Sequence, residues 1–279
     1  MTCDLQVVPL GAALGARVEG VDLSEELDDE SFAFIRAAFL AHQVLVFPEQ
    51  RLNPERQVRF TSRFGAVDAH PLRTRRSPEG FPQVMILENR PGVPGARNDV
   101  WHLDVTCTER PPALGVLHAL EIPGNGMGDT QFCNLYAAYE ALSPAMQASI
   151  DGLGGLHSAA GLASRFNNAH SDALPIKDIP PPIRHPIVRT HPDTRRRSLF
   201  ISVLEVIAFD GMTAEESAPI LRYLYEVATR AENVYRHRWS ERDVVMWDNR
   251  CVMHYGVHDY DDSVPRVMHR TTAAGDRPI

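Results

Sequence analysis

The stretch Trp101-His102-Leu103-Asp104 restricts the fold more than any other part of the chain. On an α-helix, residues two apart point about 200° away from each other, so an imidazole and a carboxylate so spaced cannot serve one ion. On an extended segment they share a face. The pair therefore asks for a strand around residue 102 and for a third donor from elsewhere. Two imidazoles and one carboxylate on one face of a metal, with the remaining positions open, is the ligand pattern of non-haem Fe(II) oxygenases. His254 stands far along the chain in Val252-Met253-His254-Tyr255, a strand-like run. Strands distant in sequence become neighbours in a jelly roll.

The rest of the pattern agrees with such a fold. Residues 5–23 read as extended, and a helix starts near Asp28 with Asp29 and Glu30 in its first turn. Val44 to Phe47 is a buried strand. Asn53-Pro54 reads as cap and first residue of a second helix that stops at Gly65. Residues 66–83 and 90–100 are rich in Pro, Gly and Arg and read as loops around a strand at Val84 to Leu87. Short strands are predicted near 114–120, 129–133, 153–158, 185–190, 198–204, 234–239, 243–247, 251–255 and 265–273. Helices are predicted at 135–142, 144–151 and 213–230, the last opening on a capping box of Thr213 and Glu216. Many short strands and few helices predict a mainly β chain, a jelly roll with flanking helices. No composition shift divides residues 1–279, which predicts a single domain.

Composition narrows the partners. The net charge of −8 argues against a nucleic-acid or anionic-membrane surface, so local arginines must hold any anionic ligand. No apolar run approaches the roughly 18 residues of a membrane span. The N-terminus Met1-Thr2-Cys3-Asp4 lacks the features of a signal peptide. The scattered Cys3, Cys107, Cys133 and Cys251 read as reduced thiols of a cytoplasmic protein. On a strand at Arg266-Val267-Met268-His269-Arg270, Arg266 and Arg270 share a face, so two guanidiniums are expected to look into one cavity. A buried arginine without an acidic partner calls for a ligand carboxylate or similar anion.

Together, Trp101-His102-x-Asp104, Gly128-Asp129-Thr130, Trp247-Asp248-Asn249-Arg250-x3-His254 and Arg266-x3-Arg270 resemble the taurine dioxygenase / phenoxyacetate-herbicide dioxygenase family. The likeness runs from about residue 5 to residue 277 and includes Val21-Asp22-Leu23-Ser24 and Ala137 to Ser143. It implies a double-stranded β-helix and dependence on Fe(II), with 2-oxoglutarate and O2 as co-substrates. It implies iron on His102, Asp104 and His254, and a 2-oxoglutarate carboxylate on Arg266 and the Thr130 hydroxyl. It also implies a small anionic organic substrate held by Arg270, with His70, Asn98 and Val105 beside it, and a dimer or tetramer. The taurine-like outcome is hydroxylation next to a sulfonate, with collapse to an aldehyde and sulfite; alkylsulfatase and aryloxyalkanoate chemistry are the alternatives within the family. Outside it stand a zinc hydrolase on the same three ligands and a non-catalytic jelly-roll binding protein. Neither accounts for both the intact ligand set and Arg266.

The resemblance breaks at the substrate end. Taurine enzymes carry an acidic residue where this chain has Arg97, and a tyrosine where it has Arg73. A cation there repels the amine of taurine by roughly 1 kcal/mol or more, which predicts a substrate that lacks the amine or carries a second anion. Arg73, Arg75 and Arg76 read chiefly as solvated surface. His258 is a rival to His254; His118, His157, His185, His191, His237 and His269 read as structural, and Trp101 and Trp247 as packing.

Overall fold

The computed structural model describes residues 5–72, 75–92, 98–124, 126–168, 176–261 and 263–279, of which the side chains of Phe166 and Asn168 are left aside. In chain order the first elements are strands β1 (Gln6–Pro9) and β2 (Ala16–Glu19), helix α1 (Asp29–His42), β3 (Val44–Phe47), α2 (Pro54–Ser62), β4 (Met85–Asn89), β5 (Leu114–Glu121) and β6 (Thr130–Asn134). Helices α3 (Leu135–Glu140) and α4 (Pro144–Ile150), β7 (Gly154–His157), α5 (Ala160–Asn168), β8 (Ile183–Pro186), β9 (Val188–Thr190) and β10 (Arg197–Leu199) form the middle. The chain ends on β11 (Val206–Phe209), α6 (Ala214–Ala228), β12 (Val234–His237), β13 (Val244–Asp248), β14 (Val252–Gly256) and β15 (Arg266–Ala273).

Seven strands make the large sheet, in the order β1-β2-β3-β13-β5-β15-β4. A second sheet, β12-β6-β14, lies across from it, and the two form the jelly roll. The core explains why β3 reads as a continuous apolar run. Leu45 and Phe47 face the layer of Ile35, Phe39 and Phe60 from α1 and α2. Val44 and Val46 face Phe132, Trp247 and Val252 between the two sheets. A strand buried on both sides has no solvent face to alternate with. Strand β13 obeys the same rule, with Val244 and Met246 towards the helices and Val245 and Trp247 towards the second sheet. On the far side of β6 and β14, Cys133 and Met253 pack under α3 and α6.

Both N-terminal helices start as their sequences predict. Asp28 caps α1 by accepting from the Ser31 amide, and Asn53 caps α2 with Pro54 next to it. The capping box of Thr213 and Glu216 is made in full. Three departures matter for the site. The segment from His102 to Asp104 is no strand; His102 alone forms a bridge, to His254. The strand expected over 198–204 ends early, as β10 at Leu199; a turn ending at Glu205 follows, and β11, which was not expected, begins at Val206. Helix α5 was not expected, and the turn lies against it: a Cβ on Gly161 would run into the carbonyl of Leu204. Among the described residues no helix is long and apolar enough to cross a membrane.

Trp247 joins the two layers and Gly115 makes room for it. The two are cross-strand partners, and a Cβ on Gly115 would fall well inside van der Waals contact of the indole. Gly115→Ala is therefore expected to cost about 1–3 kcal/mol through overpacking, read from the urea unfolding midpoint; an unchanged midpoint would mean that the indole can shift aside.

Candidate metal centre and adjoining cavities

His102 and His254 come together through the backbone. Each amide donates to the other's carbonyl, at 3.0 Å and 2.9 Å, so the pair forms one closed antiparallel bridge beside β14. Their rings lie 4.1 Å apart between centroids. Asp104 completes the group: its Oδ1 stands 3.8 Å from His102 Nε2 and 3.7 Å from His254 Nε2. The His102 Nδ1–H donates to the Val100 carbonyl at 2.7 Å, which leaves Nε2 with its lone pair free for a metal. Burial depresses the pKa of both imidazoles, so both stay neutral, as metal donors must be. Burial by itself would raise the Asp104 pKa, but the Arg270 guanidinium outweighs it and holds the carboxyl below the usual range. Three buried donors within 4.8 Å of one another fit a divalent ion with its other positions open.

The Asp104 backbone is clamped. Its amide donates to Asn249 Oδ1 at 2.7 Å, and Asn249 Nδ2 donates to the Asp104 carbonyl at 3.0 Å and to Pro112 O at 2.9 Å. The next residue, Val105, has φ of +51°, a left-handed conformation that costs a β-branched residue free energy. It persists because both sides are pinned. Beyond it, Thr106 donates to Glu205 Oε2 through its amide at 3.2 Å and its hydroxyl at 2.8 Å.

Two cavities lie side by side and share Arg75, Leu87 and Asn98; of the three donors His102 and Asp104 line the first, and none lines the second. The first is walled by His102, Asp104, Val105, His70, Glu205 and Arg270. Arg270 pairs with Asp104 Oδ2, the oxygen turned away from the imidazoles, and its guanidinium lies 5.4 Å from the Trp247 ring. His70 Nδ1 accepts from the Leu72 amide at 3.3 Å, so the neutral ring carries its proton on Nε2. Burial, and then Arg270, push the His70 pKa down to about 4. The second cavity holds Arg266, His258 and Tyr260. Among the described residues no carboxylate lies within 4.0 Å of Arg266, whose Nη2 reaches only the Gly128 carbonyl at 3.3 Å. A Cβ on Gly128, itself at φ +73°, would come within 3.1 Å of Arg266 Nε, so the glycine leaves space for the guanidinium.

The structure thus gathers His102, Asp104, Val105, His70, Asn98 and Arg270 round one cavity. It corrects other expectations. Arg266 and Arg270 do not share a cavity: the pairing of β15 with β4 runs unbroken from Arg266 to Arg270, but the two stand four residues apart along the strand and each lines its own, adjoining cavity. Thr130 lines neither cavity; its hydroxyl accepts from Trp239 Nε1 at 3.0 Å. Arg75 is buried between the cavities and not solvated, whereas Arg76 is exposed. His258 stands with Arg266, away from the three donors. Arg73 and Arg97 lie outside the described residues. A second compact set, His191, Asp248 and Cys251, is spoken for: His191 bonds Asp248 at 3.0 Å and Asp248 takes a fork of bonds from Arg250. Asn249 and Glu205 were missed. The signal for Glu205 was present, an acid inside the apolar run Val203-Leu204-Glu205-Val206-Ile207.

The taurine catabolism dioxygenase model, TauD/TfdA family, matches residues 6–272. An alpha-ketoglutarate-dependent 2,4-dichlorophenoxyacetate dioxygenase of Cupriavidus pinatubonensis is 34% identical over 97% of this chain and 98% of its own. An alkylsulfatase of Acinetobacter baylyi is 33% identical over 99% of this chain and 86% of its own. The crystal structure of a taurine dioxygenase from Burkholderia xenovorans superposes with a TM-score of 0.83 at 36% identity, covering 99% of this chain and 92% of the other.

Two outcomes follow from the clamp and the buried imidazoles. Asn249→Ala is expected to weaken Fe(II) binding about 10- to 100-fold, because the Asp104 main chain loses its support; anaerobic metal titration measures it, and an unchanged affinity would remove Asn249 from the site. The metal-free protein is expected to lose stability on acidification. His70 and His118 are neutral in the fold with pKa near 4, and His157 near 3, all chiefly through burial, against 6.5 when unfolded. Their contribution is complete above pH 6.5 and lost as the pH falls towards 4. Glu205, raised by burial to about 7 from 4.5, acts with the opposite sign over part of this range but is one group against three. A urea midpoint at pH 5 equal to that at pH 7 would contradict this.

Proposed function

The chain belongs to the TauD/TfdA dioxygenase family, and from that premise we propose that it is an Fe(II)- and 2-oxoglutarate-dependent dioxygenase hydroxylating a small organic anion. One observation carries the reading: a cavity lined by His102 and Asp104 holds the buried Arg270, and a second cavity adjoining it holds the half-buried Arg266. Two anions are therefore accommodated side by side. Arg266, with no carboxylate partner among the described residues, holds the distal carboxylate of 2-oxoglutarate. Arg270 and the Nε2–H of His70 hold the anion of the substrate, with Asn98 and Val105 at its flank. The Thr130 hydroxyl accepts from Trp239 and so keeps its own proton to donate.

His102, Asp104 and His254 would hold the iron. When bound, it supplies the O2 activation that couples loss of CO2 from 2-oxoglutarate to hydroxylation of a C–H bond. The protein's part is placement and exclusion of water. Arg270 pairs with Asp104 and also faces the cavity, so the substrate's charged end is tied to the same carboxylate that binds the metal. Met85, Leu162 and Leu204 wall the cavity with apolar surface. An alkylsulfonate is the substrate we propose. Hydroxylation at the carbon bearing sulfur gives a product that expels sulfite and leaves an aldehyde.

The test is a panel of alkylsulfonates, alkyl sulfate esters and aryloxyalkanoates, scored by substrate-dependent succinate formation with Fe(II) and O2. The expected result is turnover of a sulfonate with one sulfite per succinate. Turnover confined to sulfate esters or aryloxyalkanoates would replace the sulfonate reading, and no 2-oxoglutarate turnover with any anion would end the larger one. Arg266→Ala is expected to weaken 2-oxoglutarate binding to the Fe(II) protein by about 10- to 100-fold, followed by anaerobic titration.

A further inference from the structure

One group in the substrate cavity has no part in holding metal, co-substrate or anion. Glu205 is 2% exposed and lies on the wall of the cavity that contains Arg270, His70 and Asp104. One of its oxygens is fully used: Oε2 accepts from the Thr106 amide, the Thr106 hydroxyl and the Ser202 hydroxyl, at 3.2, 2.8 and 3.3 Å. The thiol of Cys107 lies beside the carboxyl. The other oxygen, Oε1, is buried and accepts no hydrogen bond from any described residue. No Lys or Arg pairs with Glu205 among the described residues, although two arginines line the same cavity. A buried carboxyl with an idle oxygen is costly unless something outside the chain serves it.

The turn around it is held, not loose. Glu205 donates its amide to Ser202 O at 3.2 Å, and its carbonyl accepts from the Ser158 amide at 2.7 Å. Helix α5 presses on the neighbouring Leu204 through Gly161. The idle acceptor is thus kept at one place on the cavity wall.

We propose that Glu205 is a specificity-determining residue: its Oε1 accepts a hydrogen bond from a donor group, hydroxyl or ammonium, carried by the substrate away from the anion that Arg270 binds. The inference rests on the small-anion reading of the cavity. It makes the site bipolar, with donors for an anion and an acceptor for a polar head. A plain alkyl chain would leave Oε1 unserved. Burial, which raises the Glu205 pKa to about 7, fits a carboxyl awaiting its partner in a site shielded from water.

Three near-isosteric probes separate the possibilities: 2-hydroxyethanesulfonate, 2-aminoethanesulfonate and propane-1-sulfonate, titrated into the oxygen-free Fe(II)·2-oxoglutarate protein by calorimetry. At least one of the two donor-bearing sulfonates is expected to bind about tenfold or more tighter than propane-1-sulfonate. Whether hydroxyl or ammonium leads tells which donor the site takes. Glu205→Gln keeps an oxygen for Thr106 and Ser202 and turns its NH2 to the cavity, a donor facing a donor. That variant is expected to lose the preference while its 2-oxoglutarate affinity and melting temperature stay at the wild-type values. Equal affinity for all three probes in the wild type, or a preference that survives Glu205→Gln, overturns the role of Glu205 and leaves the small-anion reading standing. If none of the three binds, the alkylsulfonate reading fails, and the inference with it. The wild-type comparison decides even if the variant does not fold.

Discussion

The site depends on the reciprocal backbone bond between His102 and His254. Donors so far apart in sequence are of no use to one ion until a single pair of peptide groups sets them face to face. Strand β14 is ordered by its pairing with β6, and His102 extends that sheet by one residue. Asp104 follows within the same extended stretch and is stapled by Asn249 from the end of β13, in the facing sheet. The metal face is therefore built where the two sheets meet, and it borrows the rigidity of both. The strained Val105 is tolerable for the same reason: Asn249 on one side and Glu205 on the other leave the chain no easier path.

Charge is distributed with similar economy. A chain of net charge −8 has no general attraction for anions, yet three arginines, Arg75, Arg266 and Arg270, line the two adjoining cavities. Arg270 is stabilised by Asp104 in the resting protein, so it need not await a ligand. Arg266 has no such carboxylate partner among the described residues. Glu205 is the inverse case, an acid among cations that pairs with none of them. In a medium less polar than water each of these unmatched groups discriminates strongly between ligands, because the wrong ligand leaves it unserved.

Much of the fold and the inner site was legible in the sequence. The unbroken apolar runs of β3 and β13, the caps of α1, α2 and α6, and the spacing of His102, Asp104 and His254 are local patterns with local physical causes. What the sequence could not convey depended on distances in the fold and on turns. Arg266 and Arg270 stay in alternation on β15, but four residues of strand, about 13 Å, separate them, so each reaches a different cavity. Arg75, in a run that looks solvated, is buried because the loop carrying it folds between the cavities.

The sequence by itself determined which chemistry is available: two imidazoles and a carboxylate for a metal, arginines for anions, and strands enough for a jelly roll. Only the tertiary structure decided which groups meet. It ended the expected strand at Leu199, began β11 at Val206, and so put Glu205 in a turn at the cavity wall. It gave Asn249 to the Asp104 backbone and Trp239 to the Thr130 hydroxyl. Hydrogen bonds and ion pairs act over a few ångströms, and which residues come that close is set by sheet order and register. Neither is written in the neighbourhood of any one residue.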